Sequence, residues 1–214
     1  MSLPILRTAD GVRLVLASES PRRRELLSSL GLDFDVVPSS IEEVTNLETP
    51  EEMVRELSYL KAIAVARSLP NEFVLAADTL VALGSNVLGK PADIDDAVRM
   101  LETLSGQTHK VWGGICCVRV VQNEEERKEK QKEEVLFHCT VMTEVEFYHL
   151  DRELIHAYLS TGEFRDKAGG YGIQGQGQIF VRGINGSYSN VVGLDTAQVA
   201  RELVAIGVAR VKQG

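Results

Sequence analysis

No apolar run in this chain approaches the roughly 18 residues that a membrane-spanning helix needs, so no membrane partner is expected. The opening, Met-Ser-Leu-Pro-Ile-Leu-Arg, lacks the basic segment and long apolar stretch of a secretory signal. Cysteine is scarce. There are three, two of them adjacent (Cys116, Cys117), with no metal-ligand spacing and no disulfide framework. Reduced thiols in a cytoplasmic protein are the expectation. The four histidines (His109, His138, His149, His156) share no spacing suited to zinc. No Gly-x-Ser-x-Gly elbow or Cys–His signature occurs, so hydrolysis through a covalent intermediate has no support. A surplus of positive charge is missing too. The 214 residues carry 23 Lys and Arg against 31 Asp and Glu, a net charge of −8. With a pI near 5.1, this argues against a general nucleic-acid binder. Local basic clusters in such a chain suggest a small anionic ligand.

The apolar fraction, 44%, suffices for a sizeable core. The length suits one α/β domain, or one domain of two lobes. Strands are expected at 13–17, 34–37, 73–83, 86–88, 108–121 and 135–148, and helices at 21–30, 93–104, 151–159 and 195–206, with a further one opening at Pro50. Thr49-Pro50-Glu51-Glu52 is a capping box, and the helix it opens is read with Met53, Leu57, Leu60 and Ala64 on its apolar stripe. The next places Ile94, Ala97, Val98, Leu101 and Leu104 inward. Residues 123–134 alternate charges in blocks and offer no core face, which suggests a mobile hairpin insertion. Asn185-Gly186-Ser187 matches a glycosylation sequon but reads more simply as a tight turn.

The richest segment is Leu16-Ala17-Ser18-Glu19-Ser20-Pro21-Arg22-Arg23-Arg24-Glu25-Leu26-Leu27. Ser20 is a good N-cap, and Pro21 suits the first helical position. Arginine just inside a helix start opposes the macrodipole at a cost of roughly 0.3–1 kcal/mol each. A chain that accepts this three times either solvates a basic helix start or holds an anion there. Backbone N–H groups, serine hydroxyls and guanidiniums together make a phosphate site.

Asp78 lies inside the apolar run Val74–Val81, where an ionised carboxylate needs a partner, a metal or a shifted pKa; a satisfied strand-end aspartate is the plain alternative. Lys61 is placed at the margin of a helix's buried face, as a phosphate ligand or a snorkelling side chain. Lys90, in the stiff turn Gly89-Lys90-Pro91, can aim its ammonium at a phosphate. The stretch Gly84–Lys90 imitates a P-loop, but Pro91 replaces the Ser or Thr that would ligate magnesium, so a P-loop is rejected. The segment Lys167–Gln178, rich in Gly and Gln, lets backbone approach a ligand, or is a flexible loop. Phe180 stands where a dinucleotide fingerprint needs its third glycine. Separate cationic side chains, one buried aspartate and an amide-rich loop suit a polyphosphate, with Mg²⁺ bridging its oxygens.

Five segments in order resemble the Maf family of nucleoside triphosphate pyrophosphatases, earlier linked to septum formation. They are Ser18-x-Ser20-Pro21-Arg22-Arg23-x-Glu25-Leu26-Leu27, Ala77-Asp78-Thr79, Gly89-Lys90-Pro91, Leu104-Ser105-Gly106-x-x-His109-x-Val111 and Lys167-Ala168-Gly169-Gly170-Tyr171-Gly172-Ile173-Gln174-Gly175. The resemblance implies an elongated mixed sheet flanked by helices, like the inosine triphosphate pyrophosphatases (Maf/Ham1), one domain over 1–214 with two lobes and a central cleft. It implies cleavage between the α- and β-phosphates with Mg²⁺ or Mn²⁺, and a possible homodimer. By matching position, Ser18, Arg22, Arg23, Lys61 and Lys90 would bind phosphates, with Thr79 and Tyr171 also in the substrate site. Asp78 would hold the metal or activate water, Glu43 would be a second acidic ligand, and Gln174 would contact nucleotide or water. The Ala-Asp-Thr and Tyr-Gly-Ile-Gln-Gly forms are similar to the branch acting on dTTP, UTP and modified pyrimidine nucleotides. Gly89 departs from the glutamate common there. Enzymes of the 7-methyl-GTP/CTP type and a non-catalytic nucleotide-binding regulator are the alternatives.

Overall fold

Strands β1 (Leu6–Thr8) and β2 (Leu14–Leu16) lead into helix α1 (Pro21–Ser29), and β3 (Asp35–Val36) into α2 (Pro50–Ala66). Then come β4 (Phe73–Leu83), β5 (Asn86–Leu88), α3 (Ile94–Leu104), β6 (Thr108–Val121), β7 (Lys132–Phe147) and α4 (Arg152–Ser160). After three short 3₁₀ turns between Glu163 and Phe180 follow β8 (Val181–Asn185), α5 (Tyr188–Val192), α6 (Thr196–Ala205) and β9 (Ala209–Val211). This is a computed structural model, and it describes residues 4–122 and 132–212. The expected insertion at 123–134 lies outside the described residues up to 131. Lys132–Glu134 belong to β7, which begins earlier than expected because its antiparallel ladder with β6 runs on through Arg119, Val120 and Val121.

Each helix starts where a short polar side chain can accept a backbone N–H. Ser20, Thr49, Asp93, Asp151, Ser187 and Asp195 do so for α1 to α6, each cap worth about 1 kcal/mol. The strands form one mixed seven-stranded sheet in the order β3-β2-β4-β6-β7-β8, with β5 also on β4. Strand β2 runs parallel to β3 and β4, and the other pairings are antiparallel. β1 and β9 pair as a separate ribbon.

Alternation along β4 and β6 divides the core. Val74, Ala76, Cys116, Val118 and Val120 face α2. On the opposite face Leu75, Ala77, Ile115 and Cys117 pack with residues of α1 and α6. Farther along that second face, Val81 and Val111 join α3, α4 and the rings of Phe147, Phe164 and Phe180. Between these two cores lies a waist at Thr79 and its register partner Gly113. The Asn190 amide of α5 fills it, donating to Val111 O at 3.1 Å and Thr143 Oγ1 at 3.1 Å. A Cβ on Gly113 would meet Asn190 Oδ1 at 2.1 Å, so only glycine admits that amide.

Two stripe assignments need correction. On α2 the buried face is Val54, Leu57, Ser58, Lys61, Ala62 and Val65, while Ala64 is exposed and Met53 and Leu60 are half-buried. The face rotates because Val54 and Ser58 press against Gly114 of β6, a contact that helical periodicity does not encode. Ile94 is 51% exposed at the first position of α3, ahead of the turn that reaches the core.

Candidate active site

The strand pairing leaves a gap that becomes the site. β2 covers one edge of β4 as far as Leu75, and β5 takes up the same edge from Val81. Between them, Ala76–Leu80 have no strand on that side among the described residues, because β2 has already turned into α1. A crevice at the carboxyl end of diverging parallel strands is where open α/β sheets bind ligands. Here it is a cleft of about 830 Å³. All ten residues singled out by the sequence line it: Ser18, Arg22, Arg23, Glu43, Lys61, Asp78, Thr79, Lys90, Tyr171 and Gln174.

Neighbouring residues on a strand point to opposite faces, so Asp78 and Thr79 serve the two sides of the cleft. Asp78 faces α2. Its register partner is Gly114, where a Cβ would lie 2.0 Å from Val54 O. That bare glycine lets α2 sit low on the sheet, and two turns after Val54 the Lys61 side chain reaches the carboxylate. Lys61 Nζ lies 2.6 Å from Asp78 Oδ1 and 2.6 Å from Glu43 Oε1. Lys61 and Asp78 are both about 5% exposed, so Lys61 is at the centre of the buried face, not at its margin. Glu43 reaches in from the loop before α2. Burial pushes its pKa up, but the Lys61 hydrogen bond and charge outweigh that and hold it below the usual value. Asp78 Oδ2 is buried with no hydrogen-bond partner among the described residues. A buried carboxylate oxygen left so costs free energy unless something else binds it.

Thr79 faces α1 and α5. Arg23 donates from Nε to Gly193 O at 2.9 Å, from Nη2 to Thr79 Oγ1 at 3.1 Å and from Nη1 to Ser18 Oγ at 3.4 Å. Its fork therefore ties the start of α1 to the end of α5 and to β4. Ser18 Oγ also accepts from Ser20 N at 3.2 Å, shaping the turn before the helix. Arg22, one residue earlier, crosses the cleft and donates to Asp166 Oδ2 at 2.8 Å. Lys90 is exposed at the rim and makes no ion pair among the described residues, although its charge lowers the Glu43 pKa.

The glycine-rich segment is a built loop. Glu163 accepts from Gln176 N, and Tyr158 Oη accepts from Gly172 N at 3.1 Å. Gln174 stands exposed on this loop at the cleft. Tyr171 is buried and its hydroxyl is committed to His109 Nε2 at 2.8 Å. Among the described residues, no three His, Cys, Asp or Glu come together as a ready-made metal cage, and no helix is long and apolar enough to cross a membrane.

With that geometry in place, the comparisons decide kinship. The family model described as Maf-like protein matches residues 13–206. The chain belongs to the Maf-like family. The dTTP/UTP pyrophosphatase of Thermococcus kodakarensis is 47% identical over 182 residues, 84% of this chain and 89% of that protein. That of Moorella thermoacetica is 47% identical over 197 residues, 92% and 96% of the two chains. A solved dITP/XTP pyrophosphatase from Mycobacterium abscessus aligns over 91% of this chain and 94% of its own, at 14% identity and a TM-score of 0.41. At that level the overlay carries no weight for the chemistry.

Within this Maf-like cleft, sequence reasoning missed Asp166, the Gly193 carbonyl and Asn190. Asp166 sits between Arg165 and Lys167 and reads as a solvated charge. A main-chain acceptor such as Gly193 O has no side-chain signal. Asn190 lies in a five-residue helix, too short for periodicity to reveal. His109 lies in the segment Leu104–Val111, and only its contact with Tyr171 shows what it touches.

Proposed function

We propose that the chain hydrolyses dTTP, UTP and modified pyrimidine nucleoside triphosphates to the monophosphate and pyrophosphate, in a nucleotide house-cleaning role. The observation that carries this reading is the Glu43–Lys61–Asp78 row on the wall of the cleft, with one Asp78 oxygen unpartnered. The relatives' names support the substrate class.

The residues fit a divalent cation. Mg²⁺ needs only one or two protein carboxylates when phosphates complete its shell, and Asp78 Oδ2 and Glu43 are the available oxygens. Held there, Mg²⁺ or Mn²⁺ would neutralise phosphate charge. Arg22, Lys90 and Ser18 bind the phosphate chain, with Arg23 orienting Ser18 and Thr79 as well as adding charge. Lys61 holds the Glu43 pKa down and adds positive charge where negative charge develops. Gln174 and the Tyr171 loop border the nucleoside. Asp78 Oδ2 serves either as the cation's ligand or as the acceptor of the proton from the water that attacks the α-phosphorus, and the bond to the β-phosphate oxygen breaks to release pyrophosphate. A cytoplasmic setting fits the three free thiols, and a single two-lobed domain fits the two cores on one sheet face. A homodimer remains what the resemblance implies.

The test is product analysis with dTTP, UTP, CTP, GTP and 7-methyl-GTP in Mg²⁺ or Mn²⁺. Pyrophosphate from dTTP and UTP is the expected result. Orthophosphate, preference for 7-methyl-GTP, or binding without turnover would each overturn the reading.

A further inference from the structure

The cleft contains an anion of its own. Asp166 ends the 3₁₀ turn Glu163–Asp166, and two cations share its carboxylate. Oδ2 accepts from Arg22 Nη1 at 2.8 Å, and Oδ1 accepts from Lys167 Nζ at 2.7 Å. Arg22 Nη2 also donates to the Asp166 backbone carbonyl at 3.3 Å. Arg22 stands in the first turn of α1, whose N-terminal dipole favours negative charge. Two oxygens held by a guanidinium and an ammonium beside a helix start are the coordination that a phosphate would take. The contact spans 144 residues of sequence and joins α1 to the segment that leads into Tyr171 and Gln174. The Asp166 side chain is 57% exposed and that of Arg22 24%, so an incoming anion can open the pair without disturbing the core.

We infer that Asp166 is an intramolecular competitor for the phosphate site: it holds Arg22 between turnovers, yields it to the nucleotide's phosphates, and recaptures it as pyrophosphate leaves. The inference rests on the reading of Arg22 as a phosphate ligand. Burial raises the Asp166 pKa, but hydrogen bonds from Lys167 and Arg22 outweigh it and bring it down to about 2. The carboxylate is thus charged across the working range, and the exchange is driven by the incoming anion rather than by pH. A side chain that blocks part of a site and then returns to it weakens ligand binding by the fraction of time it is engaged.

The experiment is calorimetry of inorganic pyrophosphate binding to the full chain, comparing wild type, Asp166→Asn, Arg22→Ala and the double variant. Asp166→Asn is expected to tighten binding about two- to fivefold, the competition that a partly exposed ion pair can supply. The gain should vanish when Arg22 is absent. Unchanged or weaker binding in Asp166→Asn would overturn the inference and make Asp166 a strut that positions Arg22. Tightening that persists without Arg22 would overturn it as a general charge effect. If wild type binds pyrophosphate and Arg22→Ala weakens it, a failure at Asp166 leaves the pyrophosphatase reading intact. If wild type binds none, the inference falls, and the pyrophosphatase reading is decided separately by whether dTTP and UTP yield pyrophosphate.

Discussion

Lys61 Nζ donates to Asp78 Oδ1 over 2.6 Å, from a helix to a strand, with both side chains out of solvent. Glu43 takes the outer side of the same ammonium. The two removals are therefore not equivalent: without Asp78 the ammonium keeps Glu43, whereas without Lys61 the Asp78 carboxylate loses its ion-pair partner.

Asp78→Asn leaves Lys61 paired with Glu43. We expect activity to fall at least about 100-fold, the contribution of a positioned acid–base group, with a smaller loss of stability. Lys61→Met leaves Asp78 buried and unpaired, so unfolding free energy should drop by about 3–5 kcal/mol. Denaturant melts and pyrophosphate release measured on both variants check this. Equal stability losses would contradict the three-member arrangement.

Gly114→Ala tests how Lys61 gets there. The new methyl would sit 2.0 Å from Val54 O, a backbone atom that moves only if α2 moves. Overpacking of this kind costs about 1–3 kcal/mol. Activity should fall further than stability does, because lifting α2 withdraws Lys61 from Asp78. A variant that keeps wild-type turnover would show that the close approach is dispensable.

Arg23→Lys keeps the charge and loses the fork that serves Gly193 O, Thr79 Oγ1 and Ser18 Oγ. An ammonium on a flexible stem cannot hold three separated acceptors in one plane. The expected outcome is a stability loss of about 1–2 kcal/mol and a raised KM for nucleotide. Steady-state kinetics with a thermal melt would reveal either change.

His109 gives the stability a slope with pH. Burial lowers its pKa from 6.5 to about 4. The unfolded chain therefore binds a proton between those values that the native state does not. Stability is highest above pH 6.5 and falls as pH drops towards 4, by up to about 3 kcal/mol from this group. Urea melts at pH 7 and pH 4.5 should show the loss, and His109→Gln should flatten it. A slope unchanged by the substitution would assign it to other groups.

The short-range features were legible in the chain. The caps at Ser20, Thr49 and Asp195, the helix starts near Asp93 and Asp151, and the run Phe73–Leu83 follow from side-chain chemistry within a few residues, and the structure has them there, with Asp93 and Asp151 serving as caps. The strands β1, β8 and β9 and the short helix α5 were not, because three- to five-residue elements carry too few positions for a period. All ten candidate side chains line one cleft: seven come from a helix start or a connecting segment, while Lys61 comes from mid-α2 and Asp78 and Thr79 from mid-β4, where β2 has already left the strand's edge.

By itself, then, the sequence determined where helices begin, which strand runs apolar and which polar side chains were available for an anion. Tertiary structure decided their partners. The rotation of α2 depends on Gly114, which lies on β6 far along the chain from Val54, and Arg23 finds its acceptor at the end of a helix 170 positions on. Local propensity cannot specify such contacts, because they exist only once the sheet has brought distant segments within hydrogen-bonding range.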